Sequence, residues 1–201
     1  MTMNTTTANP NGSAGGAATF RPKLTFYHPN PRGTGGALQM DLHPAHDDHG
    51  GCIMAKLANQ SVVGDMRGPN PTYARFDWAN GICVKLDFDD LCAFLQVFRG
   101  ECEALGDGKG LYHQTARATT RIVLRHQIEP LPGYSFEVYR SAPGAEDSSA
   151  RIFLFPPEAT GLCEAIAGSM SVIGFGIPVV LPHDTSAYEA ENRERRHVRA
   201  A

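Results

Sequence analysis

Two stretches of the chain concentrate side chains that can do chemistry. The first runs from Arg117 to His126, RATTRIVLRH, inside an acid-free segment that begins at Gly108. Read with the two-residue period of a strand, Arg117, Thr119, Arg121, Val123 and Arg125 share one face, and Ala118, Thr120, Ile122 and Leu124 take the other. Arginines four residues apart on a strand stand about 13 Å apart, from a rise of ~3.3 Å per residue. That is near two nucleotide steps of an extended single strand, and a guanidinium fork suits a phosphate. The second stretch, His43-Pro44-Ala45-His46-Asp47-Asp48-His49-Gly50-Gly51-Cys52, looks metallic. Zinc takes three or four nitrogen and sulfur ligands, which makes His43, His46, His49 and Cys52 candidates. No second ligand pair follows at finger spacing, and a Gly- and Asp-rich loop between two strands is also what a solvated hairpin connection looks like.

Other chemistries lack a motif. There is no GxSxG, no P-loop, no GxGxxG ahead of a helix and no HExxH. The expectation is a protein with no catalytic residues and no cofactor. The five cysteines are odd in number and form no CxxC pair, which reads as free thiols in a reducing compartment. No apolar run is long enough to span a bilayer and no secretory signal is visible, so the expected location is the cytoplasm. A net charge of −3 argues against a general coater of duplex DNA, but binding follows the local field as much as the total.

The elements that must position these residues follow from periodicity. Alternation predicts strands near 23–28, 37–43, 52–58, 73–78 and 82–87, with Asn80-Gly81 as a hairpin turn. The period then changes: Leu91, Phe94, Leu95, Phe98 and Cys102 form one helical face, after Asp89 or Asp90 as N-cap and before Gly106-Asp107-Gly108 as the stop. The second half repeats the plan. Strands are expected over 118–126, 133–140 and 151–155, with Leu111 to Gln114 as a fourth, and Pro156 opens a second helix. Its apolar positions, Ala159, Leu162, Cys163, Ile166 and Met170, are the first helix's five positions displaced by 68 residues. This predicts an internal duplication. The expected organisation is a disordered arm over 1–19, a single domain over 20–182 made of repeats 20–105 and 106–182, and a polar tail over 183–201, helical or disordered. That tail carries Arg193, Arg195, Arg196 and Arg199.

This plan resembles the Whirly and Pur families, in which meanders of strands, each followed by a helix, occur in tandem. The resemblance covers residues 20–175 and rests on element order and the repeated helix face. The lysine-glycine-lysine motif of plant Whirly proteins is absent, and Gly108-Lys109-Gly110 stands in a different context. The expected fold class is α+β: two tandem antiparallel meander-plus-helix units, ββββα-like, with the helices packed on one face of curved sheets. What the resemblance implies is binding of single-stranded nucleic acid on the sheets.

The residues support the same reading. One helix covers one face of a sheet, so the outward residues show what the open face does. Candidates for nucleic-acid contact are Lys23, Tyr27, Lys56, Tyr73, Arg75, Lys85, Lys109, Arg117, Arg121 and Arg125, because phosphates meet cations and bases stack on rings. The expected partner is single-stranded DNA or RNA, bound by a homo-oligomer without a membrane. Two alternatives stand beside it: an assembly protein that self-associates through the sheet, and a metal-dependent enzyme at the His43–Cys52 loop. Outward cations also protect strand edges from aggregation, and Asp87, Glu129 or Glu137 could neutralise the arginines across strands.

Overall fold

Alternating apolar residues set nine strands of the computed structural model, which describes residues 23–44, 50–67 and 69–175. The first meander comprises β1 (Lys23–His28), β2 (Gly36–His43), β3 (Cys52–Val62), β4 (Arg75–Phe76) and β5 (Ile82–Leu86). The second comprises β6 (Leu111–Gln114), β7 (Thr119–Gln127), β8 (Gly133–Ser141) and β9 (Ser148–Leu154). Each meander is followed by a helix, α1 (Phe88–Phe98) and α2 (Pro156–Phe175). The first sheet has the order β1-β2-β3-β4, with β5 also paired to β3; the second has the order β6-β7-β8-β9, and all pairs are antiparallel. The expected segments 1–19 and 183–201 lie outside the described residues, as do His46 and His49.

The strand expected over 73–78 is only two residues long. Its pairing with β3 shifts register between Gln60 and Val62. Gln60 is the reason on the β3 side. Its buried side chain accepts from the Asn30 and Gly35 amides at 2.9 and 3.1 Å and donates to the Asn30 and Val62 carbonyls, which ties β3 to the β1–β2 loop. Asp77 ends the strand on the other side by accepting from the Asn80 amide and side chain.

The limits expected for the first helix are corrected at both ends. The N-cap is Asp87, whose carboxylate accepts from the Asp89 and Asp90 amides, while Asp90 answers to the Asp87 amide at 3.1 Å. This reciprocal box satisfies donors that a cap at Asp89 or Asp90 would leave orphaned. The helix stops at Phe98. Gly100, at φ +74°, donates to Val97 while Glu101 donates to Gln96, the paired closure of a Schellman motif. Cys102 therefore lies beyond the helix, half-buried against the core.

The 68-residue displacement holds in space. Phe88 and Pro156 open the two helices at that offset, and the buried Ile82, Val84 and Leu86 correspond to Ala150, Ile152 and Leu154. Each helix also reaches the other repeat's sheet. From α1, Phe94 meets Phe136 edge-on at 5.4 Å, Phe98 meets Tyr134 at 5.2 Å, and the Tyr134 hydroxyl donates to the Phe98 carbonyl. From α2, Leu162, Ala165 and Ile166 face Leu24, Met40, Leu42 and Ile53 of the first sheet. The helix N-termini repeat the exchange. Asp90 of α1 lies 3.0 Å from His113 Nε2 on β6, and Glu158 of α2 lies 3.0 Å from His28 Nε2 on β1. The two acids are 68 residues apart, and each also accepts from the backbone amide of the residue at its own helix cap, Asp87 or Phe155.

The two sheets approach closely along β9. A Cβ on Gly36 would collide with the Arg151 carbonyl, so glycine is required there by space and not by φ. Asn59 donates to the Ser149 carbonyl at 2.7 Å, and Arg140 donates to the Cys83 carbonyl at 2.7 Å. Among the described residues, the shared core, centred on Leu38, Leu57, Leu86, Leu91, Phe94, Ile122, Leu124, Phe136 and Leu162, leaves one face of each sheet without a helix.

Candidate nucleic-acid interface

In β7 the core takes Thr120, Ile122 and Leu124, which sends Arg121, Val123 and Arg125 to the opposite face. Register then builds rows across the second sheet. Tyr112, Arg121, Tyr139 and Ser149 lie side by side; Val123, Glu137 and Arg151 form the next row; Arg125, Ser135 and Phe153 the one after. The Arg121 guanidinium sits 4.5 Å from the centre of the Tyr139 ring, a cation–π contact. The only acid in these rows, Glu137, accepts from the Ser135 hydroxyl at 2.6 Å on one oxygen and from the Tyr139 hydroxyl on the other. Burial works to raise the Glu137 carboxyl. The two hydroxyl bonds and the fields of Arg151 and Arg125 outweigh it, and hold the group below the usual carboxylate range. The same bond to Glu137, followed by burial, pushes the Tyr139 phenol up.

The outer face of the first sheet is built from different side chains. Its rows are Lys23, Asp41, Met54 and Lys85; then Thr25, Gln39, Lys56 and Cys83; then Tyr27, Ala37 and Ala58. Gln39 donates to both oxygens of Asp41, at 3.0 and 2.9 Å. At the far end Tyr27 lies 5.5 Å from Phe76 and 6.2 Å from Trp78, the latter edge-on. Burial pushes the Cys83 thiol up, so it acts here as a small apolar side chain.

The structure thus places Lys23, Tyr27, Lys56 and Lys85 on the outer face of the first sheet and Arg121 and Arg125 on that of the second. Four expected residues fall elsewhere. Arg117 is not on the strand: Thr115 accepts from the amides of Arg117 and Ala118 and closes a turn there, so β7 starts only at Thr119. Arg75 alternates to the side of β4 opposite Phe76, away from Tyr27. Tyr73, although exposed, precedes β4, and Lys109 ends the 3-10 turn over Leu105–Gly108 before β6 begins. At the candidate metal loop, His43 and Cys52 are cross-strand partners and burial pushes the Cys52 thiol up. Among the described residues no three His, Cys, Asp or Glu side chains converge as a metal site.

Five further residues stand on or beside these faces without a sequence pattern that singles them out: Phe76, Trp78, Tyr112, Tyr139 and Arg151. Alternation from the buried Phe136, Val138 and Ile152 could have sent Tyr139 and Arg151 outward. Their meeting with Arg121 and Glu137 depends on cross-strand register, which periodicity within one strand does not contain. Tyr27 and Tyr112, at 55% and 60% exposure, keep ring surface free for a stacking partner. No helix among the described residues is long and apolar enough to cross a membrane.

No family model matches the sequence, and no curated protein matches it. Solved structures do. The chain is similar to WHY1 from Arabidopsis thaliana, with a TM-score of 0.62 and 15% identity over 79% of this chain and 89% of that one. It is similar to WHY3 from the same plant, with a TM-score of 0.61 and 12% identity over 78% and 90%. It is also similar to the plant transcriptional regulator PBF-2, with a TM-score of 0.59 and 15% identity over 78% and 84%. The fold is Whirly-like.

Proposed function

We propose that the protein binds single-stranded DNA or RNA on the outer faces of its two sheets and that it is not an enzyme. The observation that carries this reading is the row structure of those faces. Cations and rings share surfaces that neither helix covers: Tyr112, Arg121 and Tyr139 stand side by side on one sheet, and Lys23 and Lys56 share the outer face of the other with the exposed Tyr27 at its end. Cations meet phosphates, and rings accept any base by its face. Neither helix offers a run of cations that would suit a duplex groove: α1 contains none and α2 contains none. The Whirly-like fold supports the reading, since a transcriptional regulator is among its neighbours.

Fluorescence polarisation with labelled, unstructured oligonucleotides at low salt tests it. Binding should weaken linearly in log salt, by about 0.7 in slope for each phosphate contact, and the Arg121→Ala, Arg125→Ala variant should bind less tightly. Absence of binding at low salt overturns the proposal. If those substitutions instead abolish assembly seen by light scattering without nucleic acid, the face serves self-association.

A further inference from the structure

A carboxylate does not help a surface attract phosphates, yet Glu137 sits in the middle of the second sheet's cationic rows. Its surroundings fix it there as an acceptor. Ser135 and Tyr139 each donate to a different oxygen, which pins the carboxylate plane and leaves a lone pair on each oxygen. Arg151 is its direct cross-strand neighbour on β9, and Arg125 contributes to the same field. Glu137 and Arg151 both line two adjoining hollows of about 340 and 590 Å³. The larger also holds Phe153 and Phe155, whose rings meet edge-on at 5.5 Å, so stacking surface lies next to the two charged groups.

Resting on the single-strand reading above, we infer that Glu137 and Arg151 form a base-reading pair that selects guanine. Two neighbouring acceptors beside a forked donor are complementary to the run of groups that passes from the Watson–Crick to the Hoogsteen edge of one base. Guanine presents two adjacent donors, N1–H and the N2 amino group, next to the O6 acceptor, with N7 beyond it. Adenine and cytosine each offer one donor group beside a ring acceptor, and thymine offers one N–H between two carbonyls. The carboxylate takes the two guanine donors while the guanidinium takes O6 and N7, the commonest specific arginine–base contact. Toward thymine, Glu137 meets carbonyl oxygens and repels. A carboxylate that merely ordered Arg125 and Arg151 would give no preference among bases.

The test measures polarisation of labelled oligothymidine carrying one central guanine, inosine, adenine or thymine. Wild type should prefer guanine over thymine by roughly 5- to 150-fold, the range of one good bidentate pair. Inosine, which lacks the N2 amino group, should fall between them. E137Q should lose the guanine preference, and a far-UV circular dichroism spectrum like that of wild type shows that it is folded. R151Q should lower affinity for every oligonucleotide and shrink the guanine step. Equal affinity of wild type for all four probes overturns the inference but leaves single-strand binding intact. A guanine preference that survives in E137Q also overturns it. Failure to bind any probe removes the underlying function instead.

Discussion

The two sheets share a backbone plan and present their charges in different ways. On the first, Lys23, Lys56 and Lys85 stand in separate positions, and the aromatic residues Tyr27, Phe76 and Trp78 gather at one end. On the second, Arg121 lies on the Tyr139 ring, Tyr139 is bonded to Glu137, and Arg151 and Arg125 surround that carboxylate. Lysine is a hydrated point charge on a flexible stem, whereas arginine is a planar fork that binds in fixed directions. Under the proposed single-strand binding, the first face would make contacts that ignore base identity, and the second, with its donors and acceptors in set orientations, would read a base edge. A duplicated unit can thus hold two surfaces of different exactingness on one scaffold, because outward positions of a sheet vary without disturbing the core.

Substitution series on the two faces can break this contrast. The largest effect is expected for Arg121, Arg125 and Arg151 changed together to Ala. Charge-assisted bonds worth roughly 1.5–3 kcal/mol each are lost, so affinity for a single strand should drop by about 100-fold or more, with the salt slope reduced by ~0.7 per contact. The matching Lys23, Lys56, Lys85 triple should lower the salt slope by the same amount but affinity by less; equal losses in a titration would erase the distinction. Next in size is Tyr27→Ala with Trp78→Ala. Each stacked base contributes about 1–3 kcal/mol, and the loss should be the same for thymine- and adenine-rich strands. A loss confined to one base would mean that the first face also reads sequence. The smallest effect concerns acid stability. Because the folded state holds the Glu137 carboxyl below its unfolded value, its stabilising contribution is present at neutral pH and lost as pH falls through the lowered folded value. Thermal unfolding of E137Q across that acid range should show a shallower decline than wild type; an unchanged decline would mean that the carboxylate is not tied into its network.

Much of this architecture was legible in the chain. The helix face of Leu91, Phe94 and Leu95 and its echo in Ala159, Leu162 and Cys163 gave away the duplication, because burial imposes one period on both copies. Arg121 and Arg125 were placed outward by simple alternation. Boundaries were harder. The reciprocal Asp87–Asp90 box and the Gly100 turn decided the ends of α1, and both compete with neighbouring residues of similar propensity. Arg117 was lost to a Thr115 turn for the same reason. What the sequence could not show was lateral: which ring lies under Arg121, and which cation stands beside Glu137. Those pairs join residues on different strands, and only the register of the sheet brings them together.

The twin histidine–carboxylate contacts carry a consequence for the order in which the molecule assembles. Both bring a histidine Nε2 within 3.0 Å of a carboxylate, yet Asp90 and His113 are separated by 23 residues of chain and His28 and Glu158 by 130. Loop-closure entropy grows with the logarithm of length, which makes the second contact harder to form by about 1.5 kcal/mol. On a growing chain the first contact can close soon after β6 emerges. The apolar side of Leu24, Met40 and Ile53 must wait for α2, the last described element. Two contacts alike in their distance are therefore unequal in what they must close: the one that ties α1 to the second sheet shuts a short loop, and the one that ties α2 to the first shuts most of the described chain.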